Sequence, residues 1–152
     1  MKFPLDFYTS HSQFYIYDKD SEGDTASEYF WTNDAFNDRL AIEEGVLGIG
    51  TECYGPVKGD VEILSAVRDN VNADIYDHIV EAGIKIKSGI IQIKNCTDWT
   101  TQLEVKVNPG IYRARIYSSN LISVDGDEGD DFYKIEIWPD ENMERKVLKR
   151  YI

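Results

Sequence analysis

From residue 46 onward the chain reads as β-structure, and several of its segments alternate apolar and polar positions with a period of two, the spacing of a strand with one buried face. Val61 and Ile63 alternate with Asp60 and Glu62, Ile84 and Ile86 with Lys85 and Lys87, and Leu103, Val105 and Val107 with Glu104 and Lys106. Tyr112, Ala114 and Ile116 alternate with Arg113, Arg115 and Tyr117, and the pattern returns over 132–138. Further strands are predicted at 13–18, 46–51, 75–81, 90–94 and 147–152, the first for its aromatic and β-branched run Gln-Phe-Tyr-Ile-Tyr-Asp. Turn signals separate them: Tyr54-Gly55-Pro56, 70–74, Ser88-Gly89 and Asn108-Pro109-Gly110. One segment breaks the pattern. Thr32-Asn33-Asp34 suits a helix N-cap, Phe36 and Leu40 lie one turn apart, and Gly45 is a stop, which predicts one short helix over 34–44. The expectation is a mainly β protein, an antiparallel β-sandwich with one helix, forming a single domain over 1–152 with one wet face on each sheet.

Charge sharpens this picture. The chain of 152 residues carries a formal net charge of −12. Residues 18–44 hold nine acids against Lys19 and Arg39, and residues 120–144 hold nine against Lys134. The densest run is Asp125-Gly126-Asp127-Glu128-Gly129-Asp130-Asp131, five carboxylates with no cation between them. Such a run needs solvent, a metal or a basic partner to offset its self-repulsion. Direct nucleic-acid binding is disfavoured, because phosphates demand a cationic surface. A basic protein, above all one that itself binds nucleic acid, is the natural partner.

Metal and catalytic readings fare worse. Asp18-Lys19-Asp20-Ser21-Glu22-Gly23 resembles the start of an EF-hand calcium loop, but position five is Glu, position twelve is Tyr29 and the flanks are not helical. The run at 125–131 offers oxygen ligands, yet neither block completes a ligand set, so no metal or other cofactor is expected. His11 and His78 are the only histidines, and neither sits in a nucleophile elbow, a zinc spacing or a phosphate loop. Gly45, Gly48 and Gly50 match no dinucleotide fingerprint and mark a bulge or a close strand approach. Cys53 and Cys96 read as free thiols: Met1-Lys2-Phe3-Pro4-Leu5-Asp6 has no apolar leader, and no stretch is long enough to span a membrane, so a cytoplasmic location is expected.

The residue order also resembles a known family. Ser10-His11-Ser12-Gln13-Phe14-Tyr15-Ile16-Tyr17-Asp18-Lys19-Asp20 is similar to the first strand of the ComJ-type inhibitors of the DNA-entry nuclease. Trp31-Thr32-Asn33-Asp34-Ala35 matches that family's helix start, 45–51 its small-residue strand, Asn108-Pro109-Gly110-Ile111-Tyr112 its hairpin and Tyr133-Lys134-Ile135 its late strand. The chain departs from the family over 58–74, in its longer acidic loop and over 144–152. The resemblance implies a small acidic protein that binds and blocks a nuclease in the setting of competence. Immunity proteins against nuclease toxins are a variant of the same idea.

Taken with the charge argument, the sequence predicts a non-catalytic inhibitor of a basic protein. Asp125, Asp127, Glu128, Asp130 and Asp131 supply electrostatic complementarity, Asp18 and Asp20 belong to the first acidic block, and Trp31 is the apolar anchor. The rival is a calcium- or carbohydrate-binding β-sandwich module, and a hydrolase comes last.

Overall fold

The computed structural model describes residues 1–152. Eleven strands and one helix follow in the order β1 (Lys2–Tyr8), β2 (Gln13–Asp18), α1 (Asn33–Asp38), β3 (Leu40–Glu43), β4 (Val46–Gly50), β5 (Pro56–Ile63), β6 (His78–Ile86), β7 (Ile90–Asn95), β8 (Thr101–Lys106), β9 (Gly110–Ser119), β10 (Phe132–Pro139) and β11 (Lys146–Lys149). Single 3-10 turns occupy Ala73–Ile75 and Leu121–Ser123. A six-stranded sheet has the order β1-β5-β10-β9-β6-β11, and a five-stranded sheet the order β3-β4-β2-β7-β8. The two pack face to face, as the alternation predicts.

Strand parity decides what lies between them. From β9, Tyr112, Ala114 and Ile116 point into the core; from β10, Ile135 and Ile137; from β6, Val80, Ala82, Ile84 and Ile86. Phe14 and Ile16 of β2 meet them from the opposite sheet, with Leu47 and Ile49 of β4 and Ile91 and Ile93 of β7. Burying a side chain of this size contributes about 1.5–3 kcal/mol each, which makes this layer the main source of stability.

Three features of the element layout differ from the sequence expectation. The helix ends at Asp38: Thr32 caps it, its Oγ1 accepting from the Ala35 amide at 3.1 Å, and Arg39 then turns left-handed at φ 61°. Residues 40–43 form β3, a hairpin partner of β4 around Gly45, whose φ is +68°. The hairpin wins over a longer helix because strand parity sends Leu40 into the main core and Ala41 into a second cluster on the outer face. The six-stranded sheet is also mixed, since β10 runs parallel to β5. Gly59 permits this approach: a Cβ there would sit 2.0 Å from the Tyr133 carbonyl oxygen. Finally, β1 is an edge strand that the sequence expectation lacks. Phe3, Leu5 and Phe7 alternate correctly, and Pro4 is tolerated because it sits at the edge of the sheet.

Neither outer face is simply wet. Over the six-stranded sheet, the 64–77 connection and the 140–150 tail bury a charged layer. Arg115 Nε donates to Glu81 Oε2 at 2.7 Å, Arg113 Nε lies 3.4 Å from Glu81 Oε1, and Arg68 Nη1 reaches Glu136 Oε2 at 2.6 Å. Tyr117 donates its hydroxyl proton to Glu136, and Asn142 accepts from Arg113 at 2.8 Å. Over the five-stranded sheet, Phe30 and Trp31 lie above Gly48, where a Cβ would come within 2.9 Å of both rings. Trp99 stacks on Tyr15 with centroids 4.8 Å apart.

Candidate partner-binding site

The site is built at one end of the sandwich. The turn 9–12 is its hub. Thr9 N–H donates to Gly55 O at 2.8 Å, Ser12 N–H to Tyr54 O at 3.0 Å, and Thr51 N–H to Ser12 O at 2.8 Å. Ser10 Oγ donates to Cys96 O at 2.9 Å, which draws in the 96–99 turn. Trp31 is drawn in from the outer face, where its indole N–H donates to Gln13 Oε1 at 2.8 Å.

The acidic loop is sewn to the same place. Asp127 Oδ1 accepts from the Gly55 amide at 2.8 Å, and Gly126 O from the Tyr54 amide at 3.4 Å. Asp125 and Glu128 close the loop by exchanging backbone bonds of 2.7 and 3.1 Å. Asp131 is 6% exposed and takes the Tyr133 hydroxyl at 2.6 Å and the Cys53 amide at 3.3 Å. The Tyr133 hydroxyl in turn accepts from the Glu52 amide at 2.7 Å. Burial, reinforced by the Asp131 carboxylate, raises the Tyr133 pKa, so its hydroxyl stays a proton donor. Burial also pushes the Cys53 thiol up, with Asp131 and Asp127 adding to the effect.

The candidate residues therefore divide. Asp125, Asp127, Glu128 and Asp130 are exposed at this end. Asp131 is turned inward, and its carboxylate fastens the loop to the 52–55 turn. Asp18, 2% exposed, lies at the other end of β2 and accepts from the Lys87 and Ser88 amides, both at 3.1 Å. Six residues of β2 at about 3.3 Å per step put that end roughly 17 Å from the hub. Asp20 is exposed there, beside a cleft of about 540 Å³ between the 20–24 loop and the Glu43–Gly45 turn, with Lys85 and Lys87. Lys87 pairs with Glu44 at 3.0 Å, so this cleft is partly neutralised from within. The two acidic blocks thus do not merge into one surface through Asp18 and Asp20.

Trp31 is half-buried. Phe36, whose ring lies against Trp31, is more exposed at 63%, as is Tyr54 elsewhere at this end at 49%. Phe36 reads in the sequence as part of a helical apolar stripe, a reading that depended on the helix running on to Leu40. His11 projects from the hub with its ring 5.5 Å from Tyr54. His11 and Ser12 both hold positive φ, at 58° and 55°. Arg39, Trp99 and Asn120 are the other non-glycine residues with positive φ, and each borders this end. Strained backbone of this kind concentrates at functional sites. His78 is buried and structural: Tyr151 N–H donates to its Nδ1 at 3.1 Å, leaving Nε2–H to donate to Asp38 O at 2.8 Å. No three His, Cys, Asp or Glu side chains converge on a common point.

No protein-family model and no curated protein matches the chain. Two solved structures share its fold. The crystal structure of ComJ, inhibitor of the DNA degrading activity of NucA, from Bacillus subtilis, superposes with a TM-score of 0.70 at 18% identity, over 92% of this chain and 98% of that one. The product of crocagin biosynthetic gene J aligns with a TM-score of 0.57, also at 18% identity, over 93% of this chain and 98% of its own. The resemblance drawn from the short sequence motifs therefore holds for the fold of nearly the whole chain.

Proposed function

We propose that this protein is a cytoplasmic, non-catalytic inhibitor that binds a basic protein, a DNA-degrading nuclease, and blocks its access to DNA. One observation carries the reading: the segments gathered at the hub end, 8–13, 29–37, 50–56, 96–100 and 119–131, hold eight acids, of which Asp131 is buried, and the cations that reach them are fewer: Arg39 on Glu52, Arg150 on the Asn37 carbonyl and Lys94 on the Trp99 carbonyl. A nuclease must present cations where phosphates lie, and a rigid anionic surface competes for them. The fold supports the reading, since ComJ, which shares it, is an inhibitor of the DNA degrading activity of NucA. Asp125, Asp127, Glu128 and Asp130 supply the field, and Trp31 with its aromatic neighbours supplies the apolar contact. Asp131 and Asp18 act from within, by holding the loop and the 87–88 turn. The calcium-binding alternative lacks a group of three acidic side chains placed to hold the ion.

The test mixes the purified protein with DNA-degrading nucleases, any encoded beside its gene first, and follows plasmid degradation. Stoichiometric inhibition is expected, weakening as salt rises and weakening again in the quadruple variant Asp125→Asn, Asp127→Asn, Glu128→Gln, Asp130→Asn. Undiminished degradation at a large excess of inhibitor refutes the proposal.

A further inference from the structure

The hub end carries a groove of about 210 Å³ between the aromatic pair Trp31 and Phe36 on one side and Glu52 and His11 on the other, with Gln13 and Arg39 also lining it. Trp31 and Phe36 lie with centroids 5.3 Å apart and rings tilted by 33°. Glu52 Oε2 is held by Arg39 Nη2 at 2.7 Å, while its Oε1 takes no hydrogen bond. An exposed apolar patch rimmed by charge is the form of a docking surface. What it fits follows from charge. With eight acids in the surrounding segments against Arg39, which lines the groove and is already paired with Glu52, a second copy of the chain is repelled and a cationic surface is attracted.

We infer that this groove seats an arginine side chain of the basic partner. The inference deepens the inhibitor reading and rests on its premise that the partner is basic. A guanidinium is flat and weakly hydrated, so it can stack on the Trp31–Phe36 face while its edge donates to the open Glu52 Oε1. A lysine ammonium reaches the carboxylate only as a point charge and gains less from the rings. The opposite cleft at Asp20, Glu43 and Glu44 makes a poorer seat. No apolar side chain lines it, and it holds two cations, Lys85 and Lys87, where the groove holds one, Arg39, already paired with Glu52.

The experiment titrates hexa-arginine and hexa-lysine into the isotope-labelled full chain at low salt, with affinity and site read by NMR. Arginine peptide is expected to bind several-fold more tightly than lysine peptide, with shifts centred on the Trp31 indole, Phe36, His11 and Glu52. Phe36→Ala, whose ring is largely in solvent, is expected to weaken the arginine peptide about fivefold and to remove its advantage over lysine; Glu52→Gln acts in the same direction. Shifts centred on the Asp20–Glu44 cleft, equal affinity for the two peptides, or self-association through the groove would each overturn the inference. Failure of the nuclease reading looks different: the peptide still maps to the groove, yet wild-type protein protects no DNA. Conversely, DNA protection that survives both Phe36→Ala and Glu52→Gln retains the inhibitor and removes the groove.

Discussion

Tyr133→Phe removes one oxygen and tests the link between the core and the acidic loop. In the native protein that oxygen donates to Asp131 at 2.6 Å and accepts from the Glu52 amide at 2.7 Å. The ring itself is fully buried, so the truncation opens almost no space and the loss is polar. A hydrogen bond to a charged group is worth about 1.5–3 kcal/mol, and a buried amide left without its acceptor costs about 1–3 kcal/mol. Glu52 is half-exposed and water relieves part of the second cost, so the expected destabilisation is about 2–4 kcal/mol. Urea unfolding followed by Trp fluorescence reads this directly; with m near 2 kcal/mol/M the midpoint falls by about 1–2 M. Amide hydrogen exchange supplies the spatial half of the test. Protection is expected to drop over 52–55 and 125–131 before it drops in β9 or β10, because the bond joins those two segments. A shift below about 0.5 kcal/mol, or a uniform loss of protection, would refute the view that Tyr133 and Asp131 hold the acidic loop in place.

Glu81→Gln should cost about 3–5 kcal/mol in chemical denaturation, because it strips the shared counter-charge from buried Arg113 and Arg115; a loss under 1 kcal/mol would show the two guanidinium groups to be satisfied elsewhere. Gly59→Ala should abolish the parallel pairing of β5 with β10 and lower the melting temperature sharply, since the new methyl group meets backbone at 2.0 Å with no flexible atom to yield. His78 should make the protein acid-sensitive. Burial first, then the charges of Arg39 and Arg150, holds its pKa below the ordinary value, while the Asp38 carbonyl and carboxylate oppose the shift without reversing it. The unfolded chain therefore takes up a proton near pH 6.5 before the native one does, and stability falls as pH drops below that value. Melting temperatures from pH 8 to pH 5 should show this drop in the native protein and a flatter profile in His78→Gln.

The sequence is most legible where one local rule acts alone. Period-two alternation places the inward residues of β9 and β10, and Ile84 and Ile86 of β6, correctly, because parity is a property of the strand itself. It is least legible where distant segments compete. Leu40 and Ala41 satisfy a helical stripe and a strand equally well, and the choice rests on β4, which offers Leu40 and Ala41 separate clusters to fill. The acidic run shows the same limit in electrostatic form. Asp130 and Asp131 are adjacent and chemically identical, yet one faces solvent and the other lies under Tyr133 and Cys53. Nothing within the run sets them apart; the first sign in the sequence is the alternation that begins at Phe132. That alternation makes Tyr133 an inward residue of β10. An inward tyrosine needs a partner for its hydroxyl, and a carboxylate two residues earlier on the same face of the extended chain is within reach. An inward Tyr two residues after an acid is thus a signal of a buried carboxylate that can be read without a structure. That signal makes Asp131 an inward residue and leaves four exposed acids in the run; the structure adds the Glu52 amide at the other side of the same hydroxyl. From Glu52 the Arg39 pair leads to Phe36 and Trp31, the groove to which charge counting alone gives no pointer.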